Sequence, residues 1–350
     1  MSNDQQPPYG GFPQQPAGFP QEPAGGLTPQ PGAGYPQQPG TGYPPQPGAG
    51  YPPPGPGGYP PAPAPAPRSR RKVFLVGGLI LGVLLIAQAA VLLVDLTLSK
   101  TETTHRTYDA VSVVELVADG AVNVAAAEGD IEVDAVAHSG IRAPRYSVQE
   151  QGDRLVVTHR CGPWSWGTWR CSGGLDVTLP ADTEVVVRTS NGDVVASGLA
   201  GDANLRTSNG RIEALRIDGR LTARTSNGSI AVRDAGGDVE ARTSNGSVEV
   251  ARVGGSLEAE TSNGRVDVRD VAGDARATAS NGRIDVEQVG GNVFARTSNG
   301  PVTVRGSGDP VRLTIDTSNG SQTIEGATDP AATRTVEIRS SNGDVAYLAP

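Results

Sequence analysis

From Thr189 onward the chain repeats itself every 18 residues, and a fixed period of that size admits few folds. The motif Thr-Ser-Asn-Gly, or a close variant, sets asparagines at Asn191, Asn209, Asn227, Asn245, Asn263, Asn281 and Asn299. Two looser copies follow at Asn319 and Asn342, after steps of 20 and 23 residues. Three residues beyond the regular asparagines stand Val194, Ile212, Ile230, Val248, Val266, Ile284 and Val302. Two further on stand Ala196, Ala214, Val232, Val250, Val268, Val286 and Val304. Polar residues such as Glu213, Glu249, Asp267 and Asp285 separate these columns, the period-2 pattern of a strand with one buried face. A glycine turn follows (Gly201, Gly219, Gly237, Gly255, Gly273, Gly291), then a second alternating stretch such as Leu221-Thr222-Ala223-Arg224-Thr225. Each repeat therefore reads strand, glycine turn, strand, Ser-Asn-Gly turn.

One such coil cannot bury its apolar columns alone, but copies stacked about 4.8 Å apart enclose them between two parallel sheets. The expected fold class is all-β: a single-chain β-solenoid of 18-residue, two-strand coils over residues 181–350. The asparagines are assigned a structural role, a turn ladder in which side-chain amides bond from coil to coil. Asn-Gly corners also suit backbone that needs positive φ. A left-handed hexapeptide helix is excluded, because Asp218 and Arg224 stand six and twelve residues after Ile212. A calcium-binding roll is excluded by the absence of GGxGxD.

Ahead of the repeats the composition changes twice. Residues 1–67 are a Pro, Gly, Gln and Tyr run with almost no aliphatic surface, so they read as a disordered tail. Tyrosines within it, as in Gly34-Tyr35-Pro36 and Gly42-Tyr43-Pro44, read as part of a flexible tail, with weak stickers or ligands for proline-binding modules as the alternatives. Residues 68–98 hold the basic cluster Arg68-Ser69-Arg70-Arg71-Lys72 and the apolar run 73–94, in which Gln88 alone is strongly polar. That run is long enough to cross a bilayer once. Positive charge on its N-terminal side places the tail in the cytoplasm and the C-terminal domain outside the cell membrane. A cleaved signal at Ala87-Gln88-Ala89 is the rival, disfavoured by the long leader and by Val91-Leu92-Leu93-Val94 beyond the site. Residues 99–106 read as a juxtamembrane linker.

Residues 107–180 read as irregular opening coils, with alternation at Val111-Ser112-Val113, Ile131-Glu132-Val133 and Leu155-Val156-Val157. Solenoids need such atypical ends to hide their first edge. Cys161 and Cys171 bracket a loop carrying Trp164, Trp166 and Trp169. Outside a membrane these cysteines are expected to pair locally, with free thiols as the alternative. The tryptophan loop reads as the cap of the first coil, or else as a contact patch.

Formal net charge is −8, and residues 1–72 carry +2, so the remainder carries −10. An acidic outer part excludes a general nucleic-acid binder. Neither CxxC nor HExxH occurs, and no metal or other cofactor is expected. His105, His138 and His159 are scattered, and the repeated serines have no repeating base beside them, so no enzyme is expected. Asp234 and Asp238 flank a glycine turn, where solvated acids are ordinary. One outward column stands apart: Arg188, Arg206, Arg224 and Arg242, then Glu260 and Thr278, then Arg296. Either carboxylates such as Glu240 and Glu258 neutralise it, or it meets an anionic cell-wall polymer, acidic glycan or lipid headgroup.

Where Leu175-Asp176-Val177-Thr178-Leu179-Pro180 leads into Val187-Arg188-Thr189-Ser190-Asn191-Gly192, the chain resembles the bacterial putative-adhesin family of β-strand repeats, a domain of unknown function. The resemblance covers roughly residues 107–350. It implies surface or envelope display behind an N-terminal anchor, and supplies no ligand or catalytic residue. The tail and the arginine-rich, lysine-poor composition look actinobacterial. The expected function is thus a non-catalytic, membrane-anchored surface protein, an adhesin or envelope-binding solenoid. The alternative is an envelope-sensing regulator whose Pro/Tyr-rich tail binds partners in the cytoplasm.

Overall fold

The computed structural model describes residues 70–97, 99–140, 142–162 and 171–350. The 1–67 tail and the Trp164, Trp166 and Trp169 loop lie outside the described residues.

Helix Arg70–Thr97 carries the apolar run. Its side chains Leu79, Ile80, Leu84, Ile86 and Leu93 are all exposed, and no core among the described residues covers them. Over Gly77–Val94 it is long and apolar enough to cross a membrane. Residues 99–106 are not the linker expected from sequence. Lys100–Tyr108 is a strand that pairs antiparallel with Ile131–Ser139, so strand structure resumes within three residues of the helix. The polar sequence KTETTHRTY hid it, because an edge strand exposed on both faces carries no apolar alternation.

The repeats form a β-solenoid whose coils each contribute one strand to a 13-stranded sheet and one to a 12-stranded sheet. In one coil, Ile212–Ile217 lies in the first sheet and Leu221–Thr225 in the second. The next coil pairs parallel and 18 residues on, Ile212 with Ile230 and Leu221 with Val239. Between the sheets stack the columns of Ile212 and Ala214, and facing them those of Leu221 and Ala223, all at most 4% exposed in the regular coils. A further inward column, Leu199, Ile217, Ala235, Val253, Val271 and Val289, closes the glycine-turn side.

That column depends on a backbone feature absent from the sequence reading. Arg216, Asp234, Arg252, Asp270 and Gln288, once per coil, adopt left-handed φ of 54–61°. The bend turns the following residue inward after two outward positions, which breaks simple alternation. The Asn-Gly corners, where positive φ was expected, do not use it from Gly192 to Gly282. Among corner glycines only Gly300 and Gly343 have it. The regular corners need glycine for another reason: a Cβ at Gly228 would overlap the carbonyl oxygen of Gly210 in the coil beneath.

Every regular corner except that at Ala279 is tied to its neighbour by two side chains. The buried threonine donates to a glycine carbonyl one coil away, as Thr207 does to Gly192 at 2.9 Å and Thr243 to Gly228 at 2.8 Å. The asparagines form a continuous chain of amide bonds of 2.8–3.0 Å, beginning Asn209 to Asn191 and Asn227 to Asn209.

Chain order and stacking order diverge at both ends. Thr335–Asn342 inserts between Val293–Asn299 and Arg312–Asn319, and Val345–Leu348 between Val302–Arg305 and Gln322–Ile324. The ladder therefore runs Asn299, Asn342, Asn319. The steps of 20 and 23 residues reflect this reversal: the chain leaves one coil's space, builds the outermost coil, then returns to fill the gap. At the other end Val113–Ala118 lies between Arg154–Arg160 and Glu184–Thr189. The opening segment then leaves the parallel pattern, since Ile131–Ser139 and Arg145–Glu150 pair antiparallel with their neighbours. Cys161 and Cys171 are disulfide-bonded there, with Cα atoms 6.0 Å apart.

Candidate binding face

Strand alternation in the second sheet sends every other residue outward, and parallel register stacks those residues into straight columns. One column reads Arg188, Arg206, Arg224, Arg242, Glu260, Thr278, Arg296, Arg339. Most of its cations have acids beside them. Arg188 contacts Glu115, which also takes Arg154 at 3.4 Å. Arg224 reaches Glu240 at 2.6 Å, and Arg242 meets Glu240 at 2.8 Å and Glu258 at 3.1 Å. Burial opposes the Arg242 charge, yet Glu258, Glu240 and Glu260 together hold its guanidinium above the ordinary value. The Nε atoms of Arg224 and Arg242 are enclosed without an aligned acceptor, so the Arg242–Glu240 approach is a charge contact rather than a directed hydrogen bond. Arg206 and Arg296 have no ion pair among the described residues.

The adjacent outward column reads Thr222, Glu240, Glu258, Arg276, Phe294, Glu337. Between it and the glycine turns runs an open groove of about 610 Å³ spanning these six coils. That volume falls within the range of ordinary ligand sites. Five carboxylates line the groove, Asp238, Glu240, Glu258, Asp274 and Glu337, against two guanidiniums, Arg220 and Arg276. The Arg276 guanidinium lies over the Phe294 ring, 4.2 Å from its centroid. Turn acids are held in place by the backbone of the next coil. Asp238 accepts from the Ser256 N–H at 2.9 Å and Asp274 from the Asn292 N–H at 2.7 Å.

Sequence reading singled out the arginines and passed over this groove. The available signal was Phe294, the one apolar residue in a column that is otherwise polar from Asn204 to Glu337. The nine asparagines that the sequence marks as a ladder sit together along one corner, remote from the groove lining.

The other outer faces carry charge in different arrangements. On the left-handed column Arg252 donates to Asp234 at 2.5 and 3.0 Å. That hydrogen bonding holds the Asp234 carboxyl below the usual carboxylate range. On the first sheet Glu249, Asp267 and Asp285 stack in register. Burial pushes the Asp267 carboxyl up, with Asp285 and Glu249 adding to it against Arg265 and Arg269.

No three or more His, Cys, Asp or Glu side chains are placed to hold a metal among the described residues. The histidines stay apart: His105 contacts Asp134 at 2.8 Å, His138 contacts Thr101 at 3.2 Å, and buried His159 donates from Nδ1 to Gly174 O at 2.9 Å.

The Toastrack DUF4097 family model matches residues 117–347. A comparison with curated proteins returns no match. Among solved structures, one similar chain is a "putative adhesin" from Bacteroides fragilis NCTC 9343, at 12% identity and TM-score 0.39, covering 71% of this chain and 97% of its own. A second is a "putative lipid binding protein" from Parabacteroides distasonis ATCC 8503, at 12% identity and TM-score 0.43, covering 71% and 96%. A third, a "putative adhesin" from Parabacteroides merdae ATCC 43184, is 14% identical with TM-score 0.34, again covering 71% and 96%.

Proposed function

We propose that this chain, which belongs to the Toastrack DUF4097 family, is a non-catalytic surface protein that displays a solenoid binding face outside the cell membrane. One observation carries the reading: an open groove crosses six coils of the second sheet, lined by side chains of both charges and one aromatic ring. Packed columns and corner ladders make that face rigid, so a ligand meets side chains that need little further ordering. Helix Arg70–Thr97 anchors it. Arg68, Arg70, Arg71 and Lys72 retain the N-terminal side in the cytoplasm, and the solenoid lies outside.

The test is co-sedimentation of the full chain, in detergent micelles, with isolated bacterial envelope material. Retention in the pellet through a salt wash is expected; a chain that stays in the supernatant overturns the reading. Arg206→Ser combined with Arg296→Ser locates the contact. Loss of retention assigns it to an anionic polymer or lipid headgroup on the arginine column, and unchanged retention assigns it to the groove.

A further inference from the structure

We infer that the groove on the second sheet binds a neutral linear glycan lying along the solenoid axis. This rests on the surface-display reading and names the ligand class that fits its groove.

Length and direction come first. The floor column from Thr222 to Glu337 crosses six coils in parallel register, so it extends about 24 Å at a strand spacing of about 4.8 Å. A groove of that length with a regular repeat suits an extended polymer better than a compact metabolite.

Charge then selects the polymer. Five carboxylates against two guanidiniums repel a polyanion. A polycation has to displace arginines and backbone donors already in place. Glu240 holds Arg224 and Arg242, Glu258 holds Arg242, Glu337 holds Arg339 at 3.0 Å, and Asp238 pairs with Arg220 at 3.5 Å. A neutral hydroxyl displaces nothing. Each carboxylate has lone pairs beyond those already used, and a sugar hydroxyl donates into them.

Two residues complete the match. Phe294 is half-buried and offers an apolar surface in an otherwise polar column, where the C–H face of a pyranose ring can pack. Arg276 has no ion pair among the described residues and rests on that ring, so its N–H groups are available to glycan oxygens. Glycan binding would thus use donors, acceptors and an apolar platform together, where Phe294 interrupts the polar run from Asn204 to Glu337.

The experiment titrates the full chain in detergent micelles with three neutral hexasaccharides, cellohexaose, xylohexaose and maltohexaose, by calorimetry. Polygalacturonate and hexalysine serve as competitors. Saturable binding of at least one hexasaccharide is expected, weakened about tenfold or more by Phe294→Ala and by Glu258→Gln. Neither charged competitor displaces it. Both variants have exposed or half-exposed side chains, and unchanged thermal unfolding confirms their fold. Absence of binding by all three hexasaccharides, full affinity in Phe294→Ala, or displacement by hexalysine overturns the assignment. If envelope co-sedimentation persists while hexasaccharide binding is absent, the glycan assignment fails and the display reading stands. If the unaltered chain fails both assays, both fall.

Discussion

Asn342 donates its side-chain amide to Oδ1 of Asn299 at 2.9 Å, although 43 residues separate them and Asn319 lies between them in sequence. The same Asn342 accepts from Asn319 at 2.9 Å. The last coil of the chain is thus held on both sides, and the outermost coil is the one before it. Val113–Ala118 is likewise held on both sides near the chain's other end. Unravelling from the C-terminus must break two ladders where a simple stack would break one. This arrangement also leaves the less apolar coil outside, where Leu313 and Ile315 are half-buried and Ile324 is 50% exposed.

Position in the ladder should set the cost of losing an asparagine. Asn245 donates to Asn227 and accepts from Asn263, whereas Asn319 makes a single ladder bond. Asn245→Ala is expected to lower unfolding free energy by about 2 kcal/mol and Asn319→Ala by about 1 kcal/mol. Denaturant titration compares them, and equal losses would show that the ladder adds nothing beyond its backbone.

One coil lacks the corner hydroxyl. Ala279 stands where Thr261 and Thr297 donate to Gly246 and Gly282 at 2.9 and 3.1 Å. In the same geometry Ala279→Thr places a hydroxyl against the Gly264 carbonyl. A gain of about 1 kcal/mol is expected in the same titration. A loss would mean that the corner at Ala279 has no room for the side chain.

Left-handed backbone at a non-glycine residue is strained, and two arginines separate strain from charge. Arg216→Gly should raise stability by about 0.5 kcal/mol, since relief of strain exceeds the added freedom of the unfolded chain. Arg252→Gly relieves the same strain but also removes both hydrogen bonds to Asp234, so its gain should be smaller or reversed. Equal thermal shifts for the two would contradict this account.

The acidic stack on the first sheet predicts a pH dependence of definite sign. Asp267 has a raised pKa in the fold, so its contribution is fully favourable below its unfolded pKa and is lost as pH rises through the folded value. Ionised Asp267 stands between Glu249 and Asp285. Asp267→Asn should therefore stabilise the chain by about 0.5 kcal/mol at pH 7. That advantage should vanish once the carboxyl is protonated. Thermal unfolding at pH 7 and at pH values below the carboxylate range measures it, and an advantage that grows on acidification would have the wrong sign.

Regularity decided which parts were legible from sequence. The columns beginning at Ile212 and Leu221 repeat without a gap, so period-2 alternation and the 18-residue step identified both strands, both sheets and the Asn191–Asn299 part of the ladder. The strand Lys100–Tyr108 was illegible because nothing in it is buried on either side. Coil exchange at Asn319 and Asn342 was illegible because stacking order is a property of three-dimensional closure, while the motif itself is the same in both copies. Left-handed residues escaped because Arg, Asp and Gln occupy them, where glycine or asparagine would have marked the bend. For the binding face, a chemical column was sought among like charges. The groove instead follows a column of mixed residues, from Thr222 through Glu240, Glu258, Arg276 and Phe294 to Glu337, which no repeated residue marks.

Display of the solenoid outside the membrane is the claim on which the functional account stands, and the lysines provide its most direct test. Lys72 and Lys100 are the lysines of the chain, and the apolar run 73–94 lies between them. Intact cells producing the full chain are treated with a membrane-impermeant amine reagent, and the two sites are read by mass spectrometry. The account predicts labelling at Lys100 with Lys72 protected until the cells are opened. Labelling of Lys72 in intact cells, with Lys100 protected, would contradict it.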